Sequence, residues 1–404
     1  MREHLEFEEA RALLLRAVTP VGAEEAALER CPGRVLAEDV SAKRSVPPFD
    51  SSPYDGYAFR AADVAGACAE RPVTLRVLEE LPAGSTAEHT VTAGTAVRLM
   101  TGAPIPPGAD TVIMYEKTVF TDSTVTLSAP VRAGDNIIRR GEDVSAGALL
   151  APAGTRIDPG TLGTLASQGY ARLPVCRVPR VGIISTGSEL TEPGEEAGPG
   201  KIYNSNRYTF TALLAGMGLE PVYLGWARDE TAAIAALIRK GADTCDAVIL
   251  TGGVSVGDYD LTPAAMEACG ADFLFRHVKL KPGMACAYAL LEGKLLCGLS
   301  GNPASSVTNF HAVAAPALRK LAGLGDCLPK EISATLTEGF RKPSPTTRLL
   351  RGTLDLREGE TLMRPASRQG NVVLSSTIGC DAMAIIPGGS GPLAPGTKLK
   401  GFLL

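Results

Sequence analysis

The chain has 404 residues, 45% hydrophobic and 21% charged, which is ordinary for a soluble globular protein of roughly two to four domains. Its net charge of −4 and isoelectric point near 5.8 argue against a broad nucleic-acid surface and against binding to an anionic membrane. The nine cysteines form no CxxC pair and there are only four histidines, which argues against a Cys/His zinc site and suits a reducing cytoplasm.

The first predicted element is an amphipathic helix that ends near residues 19–22, with Leu5, Ala12, Leu14 and Leu15 expected on one side. Acidic residues occur throughout this segment, so we expect no signal peptide. No apolar run in the chain reaches the length of a membrane span.

Short Val-, Leu- and Thr-rich runs between Pro/Gly turns follow from about residue 26 to 175 and predict β-rich modules. Over roughly 178–325 strands alternate with helices, which predicts a doubly wound parallel sheet. The last helix of this region begins at 302–303, where Asn302 can act as its cap and Pro303 suits the first turn. Alternating strands from about 327 to 404 predict a small β-barrel or sandwich.

Three loops rich in Gly, Ser and Thr follow predicted strands of the central region, at residues 185–190, 251–260 and 298–306. Ligands of open α/β sheets bind at the carboxyl ends of the strands, and the third loop also opens a helix, whose free N–H groups attract anions. The loops therefore predict a pocket for a phosphate-bearing ligand. The GxGxxG and GxxxxGK[ST] patterns are absent, which disfavours a NAD site and a Walker phosphate loop.

Acidic residues in and near these loops are candidate Mg²⁺ ligands, because Mg²⁺ prefers oxygen atoms shared between protein and phosphate. Asp258 is better explained as a cap of the helix that starts near residue 262, whereas Asp260 is favoured as a ligand. Asp229 either binds a ligand or caps the helix predicted from 230. A functional role is favoured for Glu189, which lies in a glycine loop.

Lys279 and Lys281 are predicted on one face of a strand just before a Pro-Gly pair. Lys281 is well placed to reach an anion, and a solvated edge-strand lysine is the alternative. Other polar residues stand in turn-rich segments of the first half, and nothing in the sequence pattern joins them to the central loops. These residues are Asp50, Asp55, Thr101, Arg139, Arg140, Glu142 and Asp143.

Over nearly its full length the chain resembles the molybdopterin molybdenumtransferases, the MoeA family that includes the E domain of gephyrin. The resemblance rests on motifs in family order: PPFDSSPYDGYA, LMTGAPIPPGAD, RRGEDV, ISTGSEL, YNSNRY, TGGVSVGDYD, KPG and GNPASS. Residues 251–263 also resemble the pterin-binding loop of the related molybdopterin adenylyltransferases.

The resemblance implies an α/β multidomain protein with four parts. These are domain I (1–25 and 144–177, linker and dimerisation), β-rich domain II (26–143), an α/β molybdopterin-binding domain III (178–326) and a C-terminal β-barrel domain IV (327–404). It also implies a cytoplasmic homodimer with a cleft shared between the subunits, and no nucleic-acid or membrane partner. A molybdopterin adenylyltransferase would act one step earlier.

The implied reaction joins adenylated molybdopterin and molybdate, with Mg²⁺, to give molybdenum cofactor and AMP. The motif positions that match the family's functional polar residues are Asp55, Thr101, Asp143, Glu189, Asp229, Asp260 and Lys281. Asp229 and Asp260 are expected to hold the metal ion, and Lys281 with Arg139 or Arg140 to attract molybdate or a phosphate. The positions expected to seat the pterin and its phosphate are Gly252, Gly253, Ser255, Gly257, Gly301, Asn302, Pro303 and Ser305.

The chain departs from the family pattern at three positions, and two of these departures reduce the positive charge of the expected anion pocket. His277 stands at a position that is often basic, Met284 replaces a frequent second lysine, and Ser300 replaces a usual proline. They leave open whether the oxyanion is molybdate or tungstate. The alternative functions are a gephyrin-like scaffold without catalysis, and an adenylyltransferase, which would need only the central domain.

Overall fold

The computed structural model describes residues 2–255 and 260–404. The chain divides into two compact units: unit 1 is Met1–Glu38, Ala153–Asp158 and Arg172–Leu404, and unit 2 is Asp39–Pro152 and Pro159–Ala171. None of the helices in the described residues has the length and apolar composition needed to cross a membrane.

The chain begins with β1 (Arg2–Leu5), α1 (Phe7–Ala17) and β2 (Ala23–Ala27). The buried side of α1 carries Phe7, Ala10 and Leu14, at the spacing of a helix face. Leu5, predicted on this helix, instead lies in β1, where it pairs with Val278 of a central strand. Sheet pairing therefore displaces the predicted start of the helix.

Unit 2 is β-rich, as predicted. Its elements are β3 (Val40–Ser41), β4 (Gly56–Phe59), β5 (Val73–Leu81), β6 (Thr95–Leu99), β7 (Thr111–Met114), β8 (Val119–Phe120), β9 (Thr124–Leu127), β10 (Leu149–Ala151) and α2 (Pro159–Ser167). Six strands form one sheet in the order β7-β4-β6-β5-β9-β8, and β10 pairs with β3. Tyr57 and Phe59 pack in one hydrophobic cluster and Ala58 in another, as the two-residue period of a strand requires.

The central part of unit 1 alternates strands and helices. Its elements are β11 (Arg172–Cys176), β12 (Arg180–Thr186), β13 (Leu190–Thr191), β14 (Ile202–Tyr203), α3 (Ser205–Gly216), β15 (Glu220–Ala227), α4 (Thr231–Thr244), β16 (Ala247–Thr251), α5 (Thr262–Ala268), β17 (Asp272–Val278), β18 (Leu280–Lys281), β19 (Cys286–Leu291), β20 (Lys294–Leu299), α6 (Pro303–Asn309) and α7 (Ala315–Leu321). A π-helical turn, Phe310–Ala314, joins α6 to α7.

Seven strands form the central sheet in the order β1-β17-β19-β20-β16-β12-β15. The strands from β20 to β15 are parallel, whereas β19 is antiparallel to both of its neighbours. Helices α1, α3 and α7, with the π-helical turn, pack on one face and α4 and α5 on the other. The predicted doubly wound α/β domain is confirmed, with a sheet that is mixed at one side.

The C-terminal region is a closed five-stranded barrel, which confirms the barrel and excludes the sandwich. Its strands are β21 (Glu331–Leu336), β22 (Thr347–Arg357), β23 (Glu360–Pro365), β24 (Ala382–Ile386) and β25 (Lys398–Leu403). They pair in the order β22-β23-β21-β25-β24, and β24 pairs with β22 to close the ring. The short strand β18 adds to the barrel beside β22.

Candidate functional site

A pocket of about 580 Å³ lies at the carboxyl ends of the parallel strands β12, β16 and β20. Each of the three predicted loops contributes to its lining, through residues 186, 187, 189 and 190, residues 251–255, and residues 300–303. The start of α3 and single residues after β15 and before α5 complete the wall. The edge of the sheet thus brings the predicted loops together, as expected for an open α/β sheet.

Glycines allow two of these loops to pack directly against each other. Gly252 has a φ of 110°, and a Cβ there would lie 2.5 Å from the carbonyl oxygen of Thr186. Its N–H donates to the carbonyl of Leu299 at 2.9 Å. Gly253 has a φ of 61°, and a Cβ there would lie 2.9 Å from Thr262 Oγ1. Packing within the protein is therefore sufficient to require glycine at both positions, whether or not a ligand binds there.

The start of α6 forms the third side of the pocket. Asn302 stands at the cap position, but its side chain accepts no capping hydrogen bond, and Pro303 is the first helical residue. Both line the pocket with Gly301, whereas Ser305 is buried and its N–H donates to the carbonyl of Asn371. The side chain of Asn302 is therefore not used as the cap that the sequence suggested.

Asp229 and Ser188 join two loops at the mouth of the pocket. Asp229 Oδ2 accepts from the Ser188 N–H at 2.9 Å, and the Asp229 N–H donates to Ser188 Oγ at 3.2 Å. Glu230 occupies the N-cap position of α4 without a side-chain capping bond, so Asp229 is not the cap of this helix. Glu189, also at the pocket, has its carboxylate folded over Gly187.

Asp260 lines the same pocket as Asp229 and Glu189. Two other predicted positions in its loop, Gly257 and Asp258, lie outside the described residues, while Ser255 lines the pocket. Within residues 2–255 and 260–404, no group of three or more His, Cys, Asp or Glu side chains could hold a metal ion. A metal ion between Asp229 and Asp260 would thus need further oxygen ligands from a substrate, which suits Mg²⁺.

Behind the pocket, Glu192 is held by a polar network that the sequence did not reveal. Its carboxylate accepts from Asn204 Nδ2 at 2.8 Å, from the hydroxyl of Tyr223 at 3.1 Å and from Arg207 at 2.9 Å. Burial alone would raise the pKa of Glu192, but these hydrogen bonds outweigh it and lower the pKa. Burial and the Glu192 charge raise the pKa of Tyr223 to about 12. The network fixes Asn204, which caps α3 at the pocket wall.

Exposed apolar side chains form one side of the pocket, another feature the sequence reading missed. Ile202, Tyr203 and Val372 line the pocket and are 56%, 50% and 65% exposed. The hydroxyl of Tyr203 donates to the carbonyl of Glu195 at 3.1 Å. Such a surface can cover the flat face of an aromatic ligand. The first tyrosine of the YNSNRY motif, Tyr203, is the one sequence feature that indicates this surface.

The lysines predicted to supply positive charge are not in this lining. Lys279 Nζ forms a half-exposed ion pair with Glu6 at 3.0 Å, so its charge is already compensated. Lys281 is exposed and lies in β18, beside the barrel strand β22. Among the described residues, the pocket lining contains three carboxylates and no lysine or arginine.

The structure also places the three departures from the family pattern. His277 is buried, and neither ring nitrogen has a hydrogen-bond partner among the described residues. Burial, followed by nearby Arg276 and His4, lowers the pKa of His277 from its ordinary 6.5, which leaves the ring uncharged at neutral pH. Met284 is 53% exposed, and Ser300 Oγ accepts from the N–H of Asn302.

In unit 2, Asp55 and Thr101 form a compact pair. Asp55 Oδ1 accepts from the Thr101 N–H at 2.6 Å and from its hydroxyl at 2.7 Å. These two bonds, the backbone bond first, lower the pKa of Asp55. The carboxylate is therefore charged at neutral pH, although no cationic side chain among the described residues bonds to it directly.

A second cluster of unit 2 surrounds Asp50. Its carboxylate accepts from the Arg140 N–H at 2.8 Å and from Arg139 Nη1 at 2.7 Å, and these bonds lower its pKa. Glu142 accepts from the N–H of Arg139, and the N–H of Asp143 donates to the carbonyl of Val46. The charge of Arg139 is thus compensated by Asp50, which leaves Arg140 as the better candidate for an anion.

Three family models match the chain. They are described as the MoeA N-terminal region (domain I and II) over residues 5–169, a probable molybdopterin binding domain over 182–320, and the MoeA C-terminal region (domain IV) over 333–403.

Curated relatives and solved structures agree with these models. A molybdopterin molybdenumtransferase of Bacillus subtilis is 40% identical over 94% of this chain and 90% of its own length. One of Staphylococcus epidermidis is 38% identical over 90% of this chain and 87% of its own length. A crystal structure of the molybdopterin biosynthesis MoeA protein from Pyrococcus horikoshii superposes with a TM-score of 0.86 at 31% identity, covering 99% of this chain and 100% of that one.

Proposed function

We propose the following reaction for this chain, which belongs to the MoeA family of molybdopterin molybdenumtransferases. The protein inserts molybdenum from molybdate into adenylated molybdopterin, which forms molybdenum cofactor and releases AMP. The observation that carries the proposal is the pocket at the carboxyl edge of the central sheet. It joins three glycine-containing loops, an apolar wall and the carboxylates of Glu189, Asp229 and Asp260.

The substrate's parts match the walls of this pocket. The exposed face of Tyr203, with Ile202 and Val372, suits a flat pterin ring. The backbone at Gly253 and Gly301 suits a phosphate, because no side chain there keeps the phosphate at a distance. Of the predicted seating residues that the structure describes, all except Ser305 line the pocket.

Magnesium fits the carboxylate pair Asp229 and Asp260, which offers only oxygen ligands. Bound there, the ion would neutralise the charge that develops on the pyrophosphate as AMP leaves. The protein holds one member of the pair in place, because Ser188 forms two hydrogen bonds with Asp229.

Positive charge for molybdate is proposed to come from Lys281 and Arg140, since Lys279 and Arg139 already have carboxylate partners. With His277 uncharged and Met284 apolar, this set is small. Replacement of molybdate by tungstate in the assay below would distinguish a paralogue specialised for tungstate.

We further propose a cytoplasmic homodimer in which Asp55, Thr101 and Asp143 of one subunit complete the pocket of the other. The family resemblance supports this assembly, and it gives a role to the charged Asp55. The substrate would come from a molybdopterin adenylyltransferase that acts one step earlier.

The test is to incubate the protein with adenylated molybdopterin, Mg²⁺ and molybdate and to measure AMP and molybdenum cofactor. We expect turnover, and Asp260→Asn should lower it at least about 100-fold because charge stabilisation of the leaving group is weakened. Asp243→Asn, on the exposed side of α4, is the matched control. Absence of turnover together with tight binding of a partner peptide would instead favour the gephyrin-like scaffold.

A further inference from the structure

A second cavity, of about 560 Å³, lies in unit 1 between the C-terminal half of α3 and the segment 310–319. The candidate site instead meets the N-terminal ends of α3 and α6, at Asn206 and Pro303. From position 206 to position 217, α3 and its cap rise roughly 16 Å. The second cavity is therefore separate from the candidate site, and its size is typical of small-molecule pockets.

Two arginines face this cavity without a carboxylate partner. The guanidinium of Arg319 is half-buried and makes no hydrogen bond or ion pair with any described residue. Burial and then the charge of Arg156 lower the pKa of Arg319, while Cys327 and Asp326 act in the opposite direction. Within the part of the chain that the structure describes, the Arg156 side chain donates only to the neutral carbonyls of Gly33 and Met217. The side chains of the lining thus carry two positive charges and no negative one, and Leu404, the last residue of the sequence, also lines the cavity.

His311 adds a neutral polar group at the π-helical turn. It lines the cavity and makes no hydrogen bond within the described residues. Burial, and then Arg319, lowers the pKa of His311 to about 4, so the ring is uncharged at neutral pH and can donate one N–H. Single π-helical turns within a helix are rare and occur frequently at functional sites.

Apart from Thr209, whose hydroxyl donates to the Ser205 carbonyl, the rest of the cavity wall is apolar, and the cavity has space for a ligand. Leu213, Met217 and Phe310 line the cavity. Ala212 is exposed at its rim, and a Cβ at Gly216 would meet no atom within 4 Å. An apolar group of moderate size can therefore enter without displacing the protein.

We propose that this cavity binds a small organic acid, with an aromatic or aliphatic body against Phe310 and Met217 and one carboxylate on Arg319 and His311. A planar guanidinium fork matches the two oxygens of a carboxylate. A single unpaired guanidinium and one neutral donor match one negative charge.

The probe is 2-naphthoate, titrated calorimetrically into the full chain at pH 7.5, with neutral 2-naphthamide as its isostere. We expect one saturable site and at least about tenfold weaker binding of the amide, because the charge-assisted bonds are lost. Arg319→Gln should weaken naphthoate binding by at least about tenfold, and Ala212→Phe, which fills the cavity, should abolish it. Arg239→Gln is the matched control, because it removes the same charge from another helix, α4, and Arg239 does not line the cavity.

Gly216→Leu fills the same cavity from a second position, so the test survives if one variant fails to fold, which circular dichroism would reveal. The proposal is overturned if no saturable binding occurs or if the amide binds as well as the acid. Unchanged binding in folded Arg319→Gln, or in both folded filling variants, also overturns it.

Discussion

Two donors from one residue converge on a single oxygen of Asp55, the N–H and the hydroxyl of Thr101. A carboxylate that accepts such bonds keeps its charge to lower pH than a free one. This pair could not be read from the sequence, because Asp55 and Thr101 are 46 positions apart in two different turns.

Thr101→Val tests the pair. The hydroxyl bond is lost and the N–H bond remains, so the pKa of Asp55 should rise toward, but stay below, its ordinary 3.8. Because the pKa is lowered in the folded state, Asp55 stays charged in both proteins from pH 8 to pH 5. Carboxyl-carbon NMR titration checks this, with Thr74→Val as control, and an unchanged Asp55 pKa would contradict it.

Glu192 offers a second residue-scale prediction. Glu192→Gln keeps the shape of the side chain but loses the charge that Arg207 and Tyr223 stabilise, so the free energy of unfolding should fall by about 2 kcal/mol. The folded pKa of Glu192 is lowered, so its contribution is complete above the ordinary 4.5 and is lost as the pH falls through the folded value.

Urea unfolding of both proteins from pH 8 to pH 3 measures this difference. It should be constant down to about pH 4.5 and shrink below that. Glu195→Gln, at an exposed carboxylate nearby, should change stability little. A difference that grows on acidification would refute the assigned network.

At the scale of elements, Gly252 connects the loop after β16 to the end of β12. Gly252→Ala introduces a Cβ 2.5 Å from the Thr186 carbonyl oxygen at a φ of 110°. We expect about 3 kcal/mol or more of destabilisation, from strain and overpacking together. Gly270 is the matched control, because its φ is 81° but no atom lies within 4 Å of a Cβ there.

Gly270→Ala should therefore lower the free energy of unfolding by about 1 kcal/mol, because only the left-handed backbone conformation disfavours alanine there. Denaturant unfolding of the two variants separates packing from strain. Equal losses in both would mean that the contact with Thr186 is not what requires glycine at 252.

How far the elements could be predicted depended on whether the signal was local. The rule that ligands bind at strand carboxyl ends brought residues 185–190, 251–260 and 298–306 together, and the pocket has contributions from each loop. Contacts between residues far apart in the sequence could not be predicted, because no periodicity of the sequence reports them. The hydrogen bonds between Asp229 and Ser188 and the absence of Lys281 from the pocket lining are two examples. Pairing of β1 with β17 likewise moved Leu5 out of the first helix.

At the scale of the whole molecule, all nine cysteines are free, and Cys68 is exposed, whereas the other eight are buried or half-buried. Burial raises the pKa of several of the others, to about 12 for Cys286, and thiol reagents react with the thiolate. We expect one fast-reacting thiol per chain in the native protein at pH 7.5 and nine after denaturation. Cys68→Ser should remove the fast phase, and its persistence would refute the assignment.

The four residues of β1 cover an edge of the central sheet: Arg2 pairs with Phe275, Leu5 pairs with Val278, and the Leu5 carbonyl accepts from Lys279. Without them, the N–H and C=O groups of β17 would be open to pairing with another chain. A shortened chain that starts at Glu6 should therefore form oligomers larger than the full-length protein does, which size-exclusion chromatography would detect. These few residues thus act as protection against aggregation, and an expression tag that disturbs them would lower the yield of well-behaved protein.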